Sequence, residues 1–242
     1  MMTMIIITTA PATPIAMTET ALYRLMTWLS PSYPTGAFSY SHGLEYAVET
    51  GDIATAESLR HWVGTAITRG AGRSDAVLFA AAWRAQTLAD MAQLHTIVEL
   101  ASAWRGTRET AFESEAQGAA FLATTRAAWP HPALDALAQR HAGGVTLPVA
   151  VAVSCAAHGV ALAPALTAYL HAFASTLVSA GVRLVPLGQT DGQRILAALA
   201  QDITAAVAAS LTASIDEVGT AAPLLDWCSM RHETQYTRLF RS

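Results

Sequence analysis

The chain contains no lysine, and all 14 of its basic residues are arginines. A Walker-type phosphate loop, a Schiff-base enzyme and a Ser–Lys hydrolase each need a lysine, so these three classes are excluded. The formal net charge of −4 argues against a nucleic-acid-binding protein, which would carry a basic patch or stripe.

Charged residues of either sign are scarce, at 13% of the chain against a usual share of about a quarter. Two explanations stay open: partner proteins cover part of the surface, or a codon bias toward alanine and arginine lowers the charge. Cysteine is scarce as well, and Cys155 and Cys228 lie too far apart for a metal-binding spacing. Such cysteines suit a reducing compartment.

The N-terminus has a short apolar run without a basic region ahead of it, which makes it a poor signal peptide. We predict that residues 1–17 form a disordered extension.

Apolar residues recur at helical spacing along most of the chain, and no β alternation lasts long enough to predict a sheet. One apolar stripe, ended by Pro31, consists of Leu22, Leu25, Met26 and Leu29. A later helix, from Thr107 to about Thr125, has an apolar face with Phe112 and a polar face with Glu109, Glu113 and Gln117. We predict an all-α fold: a single-domain bundle of roughly ten helices over residues 18–225, followed by a C-terminal tail at 226–242.

No charged residue occurs between His141 and Val182. Each half of this span is long enough for a membrane-crossing helix, which needs about 20 residues. However, both halves are rich in small residues, and basic flanks and aromatic belts are missing. A buried helix pair is therefore favoured over a transmembrane hairpin, and solubility without detergent distinguishes the two.

The most unusual stretch is SPSYPTGAFSYSHGLE at residues 30–45, the early motif. A connector needs only Gly, Pro and Ser to turn the chain, whereas this one also carries Tyr33, Phe38 and Tyr40. Aromatic rings interleaved with hydroxyl groups are typical of a surface that another molecule covers. The early motif is therefore predicted to be a contact surface.

The last residues, SMRHETQYTRLFRS at 229–242, form a second unusual stretch, the C-terminal motif. A chain end is usually a frayed polar tail, but this one alternates arginines with Tyr236, Leu239 and Phe240. Arginine with aromatic residues is the composition of interface hot spots. We interpret it as a second contact surface, with solvated fraying as the alternative.

Catalytic and metal-binding interpretations of these motifs are weak. Ser39, Ser41 and His42 do not fit the G-x-S-x-G pattern of a hydrolase nucleophile. His232 and Glu233 begin an H-E-x-x-H pattern, but Tyr236 stands where the second histidine is needed. We therefore predict neither a catalytic residue nor a metal ligand, and no cofactor. The turn PLGQTDGQ at 186–193 is expected to cap a helix through Thr190 or Asp191 rather than to bind an anion.

Three segments together resemble the UreF family of urease accessory proteins. They are the early motif, SAGVRLVPLGQTDGQRIL at 179–196 and the C-terminal motif, with a weaker match in RETAFESEAQG at 108–118. The resemblance implies an all-α, typically dimeric, cytoplasmic protein. It also implies a non-catalytic scaffold that joins the accessory protein UreD (also called UreH) and the GTPase UreG, in a complex that inserts nickel into apo-urease.

Carried onto this sequence, the resemblance assigns partner contacts to both motifs. The predicted partner-binding residues are Pro34, Gly36, Phe38, Ser39, Tyr40, His42, Gly43, Glu45, Arg231, His232, Glu233, Gln235, Tyr236, Arg238, Leu239, Phe240 and Arg241. A further implication is that the chain modulates GTP hydrolysis by UreG, as an activator that supplies an arginine would. Two alternatives stay open: a metallochaperone that itself binds nickel through histidines, and a membrane transport component built on residues 141–182.

Overall fold

The fold is entirely helical over residues 17–242, the part of the chain that this computed structural model describes. The helices are α1 (Glu19–Trp28), α2 (Leu44–Glu49), α3 (Ala56–Thr68), α4 (Ala71–Thr87), α5 (Met91–Ala103), α6 (Arg108–Ala128), α7 (Pro132–Arg140), α8 (Leu147–Ala157), α9 (Leu162–Leu184), α10 (Gln189–Ala198), α11 (Ala200–Ser210) and α12 (Pro223–His232). Two 3-10 turns, Ala37–Ser39 and Ile215–Glu217, complete them. The all-α prediction is confirmed, and the predicted disorder of residues 1–17 falls outside the described residues except at Met17.

Helix starts follow the capping residues that the sequence offers. The Thr55 side chain accepts a hydrogen bond from the Ser58 N–H, and the Ser58 hydroxyl in turn accepts one from the Thr55 N–H, at the start of α3. Asp90 caps α5 in the simpler way, by accepting from the Gln93 N–H at 2.9 Å. Both caps are local interactions between residues three positions apart.

Helices α4 and α8 pack together at the centre of the bundle. Eight of the eleven residues of α8 are buried, from Pro148 to Cys155. Helix α6 lies against α8, while α5 flanks α4, and α3, α9 and α11 pack against α4 as well. Helix α12 contacts α2 and α6, so the chain's last helix returns to one of its first.

The uncharged span between His141 and Val182 forms α8 and most of α9. Of the helices within residues 17–242, α9 is the one long and apolar enough to cross a membrane, and half of its most apolar window is buried inside the bundle. This partial burial is also what a core helix of a soluble protein shows, because such a helix packs one side on its neighbours.

In two helices the buried side does not coincide with the apolar residues of the sequence pattern. In α1, Leu25 is buried with Ala21 and Trp28, whereas Leu22 and Met26 are exposed. In α6 the polar face is the buried one, and Phe112 on the opposite face is 58% exposed. Burial of a carboxylate requires partners for its oxygens, and these partners come from the C-terminal motif.

The turn before α10 caps its helix through Asp191, as predicted, although Asp191 is not itself the N-cap residue. Gly188 is the N-cap residue, and Asp191, in the first turn, accepts a hydrogen bond from the Gly188 N–H at 3.1 Å. Four apolar residues that recur at four-residue spacing through α10 and α11 are all buried: Ile195, Leu199, Ile203 and Val207.

Candidate functional site

The early motif, the polar face of α6 and the C-terminal motif meet in one place, which we call the junction. Main-chain hydrogen bonds join the two motifs directly: the Ser41 N–H donates to the Ser242 carbonyl at 2.6 Å, and the Arg241 N–H donates to the Ser39 carbonyl at 2.8 Å. The Ser41 hydroxyl donates to the same Ser242 carbonyl at 2.5 Å. Segments some 200 residues apart in the chain therefore form a single structural unit.

Glu45, in the first turn of α2, is the acceptor at the centre of the junction. Its buried carboxylate accepts hydrogen bonds from the Leu239 N–H at 2.6 Å and from the Phe240 N–H at 2.9 Å. The His232 Nε2 lies 3.1 Å from the same carboxylate. Glu45 thus ties α2 to the last residue of α12 and to the main chain at residues 239 and 240.

Glu109 of α6 binds the same histidine from the other side. The His232 Nδ1 lies 2.8 Å from Glu109 Oε2, and the Arg238 guanidinium lies 3.3 Å from Oε1. Burial alone lowers the pKa of His232, but the hydrogen bonds to Glu109 and Glu45 outweigh it, so the pKa lies above its ordinary value.

Glu113, one turn further along α6, connects the early motif to the chain end. Its Oε1 lies 2.9 Å from His42 Nε2 and accepts a hydrogen bond from Gln117 at 2.7 Å, while its Oε2 accepts one from the Ser242 hydroxyl at 2.8 Å. Burial lowers the pKa of His42, but the charge and the hydrogen bond of Glu113 raise it by more. The pKa of His42 therefore lies above its ordinary value. His42 also has a left-handed backbone, with a φ of 54°.

The rim of the junction is aromatic and arginine-rich. The Arg183 guanidinium of α9 lies 4.5 Å from the centre of the Phe240 ring and donates to the Phe38 carbonyl at 3.0 Å. Phe38, Tyr236 and Leu239 are 70%, 104% and 65% exposed, so their side chains project from a supported backbone. Gln235 is hydrogen-bonded to Glu49 of α2.

The predicted partner-binding residues divide into three groups by exposure. Exposed residues are Pro34, Phe38, Arg231, Tyr236, Arg238, Leu239 and Arg241, and half-buried ones are Gly36, Ser39, His42, Glu233 and Gln235. Buried residues are Tyr40, Gly43, Glu45, His232 and Phe240. The expectation of an exposed contact surface is corrected for these five, because the rest of the chain already covers them.

Glu109 and Glu113 belong to the site but are absent from the predicted partner-binding residues, and Ser242 of the C-terminal motif is a third such residue. A signal was present, since Glu109, Glu113 and Gln117 recur every four residues on one face of α6 and belong to the weaker matching segment at 108–118. The predicted boundary between residues 225 and 226 also falls within α12, which runs from Pro223 to His232.

The Ser41, His42 and His232 side chains of the junction are paired with other groups of the chain and not with one another. The Ser41 hydroxyl bonds to Ser242 and His42 bonds to Glu113, so these two neighbours do not pair as a nucleophile and a base. Both ring nitrogens of His232 face carboxylates. Within residues 17–242, no group of three or more His, Cys, Asp or Glu side chains is arranged to hold a metal ion.

A cavity of about 430 Å³ lies beside the junction and shares His42 and Glu113 with it. Its lining includes the buried ion pair between Arg105 and Asp75, with Nη1 and Oδ1 2.7 Å apart. The Tyr169 hydroxyl donates to the other Asp75 oxygen at 2.7 Å, and burial raises the pKa of Tyr169 well above its ordinary value. Tyr169 therefore keeps its proton and stays a donor to Asp75.

Comparison with known proteins agrees with the resemblance of the motifs. A family model described as UreF matches residues 53–200, more than half of the chain. The chain is 51% identical over 224 residues to a urease accessory protein UreF of Granulibacter bethesdensis, with 93% of this chain and 95% of that protein covered. It is 52% identical over 231 residues to one of Bradyrhizobium sp. strain BTAi1, covering 94% and 95%. It is 51% identical over 235 residues to one of Rhodopseudomonas palustris strain BisB5, covering 97% of each. The chain therefore belongs to the UreF family of urease accessory proteins.

Proposed function

We propose that this protein is a non-catalytic, cytoplasmic scaffold in urease maturation. It joins the accessory protein UreD (UreH) and the GTPase UreG in a complex that inserts nickel into apo-urease, and it acts as a homodimer. The junction is its docking surface, and the chain needs no cofactor of its own.

One observation carries the proposal: two of the three motifs behind the family resemblance, the early motif and the C-terminal motif, form a single surface. Main-chain and carboxylate hydrogen bonds fix the C-terminal motif at His232 and again at Phe240 and Ser242. Between these anchors, Tyr236 and Leu239 project into solvent. A surface whose exposed side chains are held by a rigid backbone loses little conformational entropy on binding.

Nucleotide hydrolysis is assigned to the GTPase partner, because this chain has no lysine for a phosphate loop. An arginine supplied to UreG is part of the proposal, since an activator contributes such a charge to phosphoryl transfer. Three arginines at the junction are exposed: Arg231, Arg238 and Arg241. These three are the candidates that the structure offers for that role.

The test is capture of co-expressed UreD and UreG by the tagged chain. Tyr236→Ala combined with Leu239→Ala removes two exposed side chains without touching the buried anchors. Because truncation of an interface hot spot costs at least about 2 kcal/mol, we expect UreD binding to weaken roughly 30-fold or more.

Leu88→Ala is the matched control, because Leu88 is 76% exposed and lies outside both motifs. It should bind UreD as the unmodified chain does. Equal UreD binding by the double variant and the control would show that the junction is not the docking surface.

A further inference from the structure

His232 is a fully buried histidine whose two ring nitrogens each face a carboxylate. Nδ1 lies 2.8 Å from Glu109 Oε2, and Nε2 lies 3.1 Å from Glu45 Oε2. A neutral imidazole has one N–H and one lone pair, so one of its nitrogens would present a lone pair to a carboxylate oxygen. Only the doubly protonated ring donates in both directions. With both carboxylates ionised, donation from both ring nitrogens points to a cationic His232.

The surrounding charges make this proton important for the C-terminal motif. Glu45 comes from α2, Glu109 from α6 and Arg238 from the C-terminal motif itself, while Glu113 lies one turn further along α6 with His42. Arg238 reaches Glu109 but is 41% exposed at its side chain. Among residues 17–242, His232 is the one cationic side chain paired with Glu45, the residue that also binds the Leu239 and Phe240 amides.

We propose that the proton on His232 is a latch that holds the C-terminal motif on the bundle, and that its loss releases residues 233–242. With the ring neutral, His232 donates to one carboxylate only, so its contact with either Glu45 of α2 or Glu109 of α6 is lost. Removing the charged partner of a buried carboxylate is strongly destabilising. The latch rests on contacts within this chain and holds whether or not the proposed partners are correct.

The direction of the pH dependence follows from the shift at His232. Its pKa in the closed state lies above its ordinary value, because the bonds to Glu109 and Glu45 outweigh the opposing effect of burial. The latch is therefore fully closed below the ordinary histidine pKa of about 6.5. Opening then increases by up to tenfold per pH unit until the closed-state pKa is passed, and levels off above it.

The charge of His232 is measured directly by NMR of the full chain labelled with ¹⁵N-histidine. Imidazolium and neutral imidazole nitrogens have different chemical shifts, and a His232→Gln spectrum assigns the signal. We expect both nitrogens to be protonated at pH 6.5, with a titration midpoint above the ordinary histidine pKa of about 6.5. A neutral ring at pH 6.5 would overturn the proposal.

Release of the motif is measured by trypsin cleavage after Arg238 between pH 6 and 9. Each rate is normalised to a small peptide substrate, and cleavage after Arg194 of α10 reports unfolding elsewhere. Because the chain has no lysine, few fragments arise and intact mass identifies them. Cleavage of a locally opened segment follows the open population when reclosing is fast. We expect the rate after Arg238 to rise with pH at the NMR midpoint, and a rate independent of pH would contradict the latch.

Three variants separate the latch from a structural role of the side chain. His232→Gln cannot carry a charge, so cleavage should be fast and independent of pH. Glu109→Gln keeps an acceptor beside Nδ1 but removes a charge, so both the NMR midpoint and the cleavage step should move to lower pH. His61→Gln, on the exposed surface of α3, should match the unmodified chain.

Circular dichroism shows whether each variant folds. If His232→Gln does not, Glu109→Gln still decides the question, because an unmoved midpoint in that variant would overturn the proposal.

Discussion

Two glycines of the early motif allow the contact between α2 and α12 to be measured apart from backbone strain. Gly36 and Gly43 have nearly the same left-handed backbone, with φ of 76° and 75°. A Cβ at Gly36 would have no atom within 4 Å, apart from its own neighbours in the chain. A Cβ at Gly43 would collide with the Ser229 N and lie 2.8 Å from the Cys228 carbonyl carbon. The two sites share the strain but differ in the collision.

Alanine at each position separates the two costs. The left-handed backbone costs a residue with a Cβ roughly 1–2 kcal/mol, and this applies to Gly36→Ala and Gly43→Ala alike. The collision at Gly43 is with main-chain atoms of α12, so the helix itself must shift, at a further cost of about 1–3 kcal/mol. We expect Gly36→Ala to lose about 1–2 kcal/mol of unfolding free energy, and Gly43→Ala about 2–5 kcal/mol.

Urea denaturation followed by circular dichroism measures both losses under the same conditions. In thermal unfolding the difference corresponds to roughly 2–4 °C of Tm for each kcal/mol in a chain of this size. Gly43→Ala should also speed trypsin cleavage after Arg238, since α12 carries His232. Equal losses for the two variants would refute the close packing of α2 on α12.

Two further predictions concern the core. Asp75→Asn leaves the Arg105 guanidinium, 6% exposed, without its anion and should lower the free energy of unfolding by about 3–5 kcal/mol, as measured by urea denaturation. Asp135→Asn breaks a half-exposed pair with Arg126 and should lower it by about 0–1 kcal/mol. Similar losses in both variants would contradict burial of the Asp75 pair. Both cysteines are buried, and burial raises the pKa of Cys228 to about 11 and that of Cys155 further, so iodoacetamide at pH 8 should label neither in the native chain and both in urea, as judged by intact mass. Rapid labelling of Cys228 in the native chain would show that α12 does not stay docked.

The sequence predicts the helices well because their signals are local. Thr55 and Asp90 bind main-chain groups three residues away, and the four-residue spacing from Ile195 to Val207 marks the buried side of α10 and α11. Such signals need no knowledge of the rest of the fold. The apolar stripe of α1 shows their limit, because periodicity locates a face but does not say whether the bundle covers it. Leu22 and Met26 are exposed for this reason.

The junction could be predicted only in part, because it depends on contacts between distant segments. Composition and resemblance indicate both motifs, but nothing local shows that the Phe240 amide binds Glu45 across 195 residues. The burial of Glu109 and Glu113 follows from those contacts, since a carboxylate enters the interior only with its donors. A polar helix face without a visible partner reads as a solvated face, and that is why these two residues were missed.

The polarity of the junction bears on how the protein presents its exposed side chains. A buried ion pair adds little net stability compared with an apolar contact of the same volume, because desolvation offsets the attraction. Its directional bonds do fix placement: His232 can meet Glu45 and Glu109 together in one position of α12, and the Leu239 and Phe240 amides can meet Glu45 in one register. Tyr236 lies between these two anchors, so its position relative to Phe38 follows from them. We therefore interpret the buried carboxylates as residues that set the geometry of the exposed surface rather than as a source of stability.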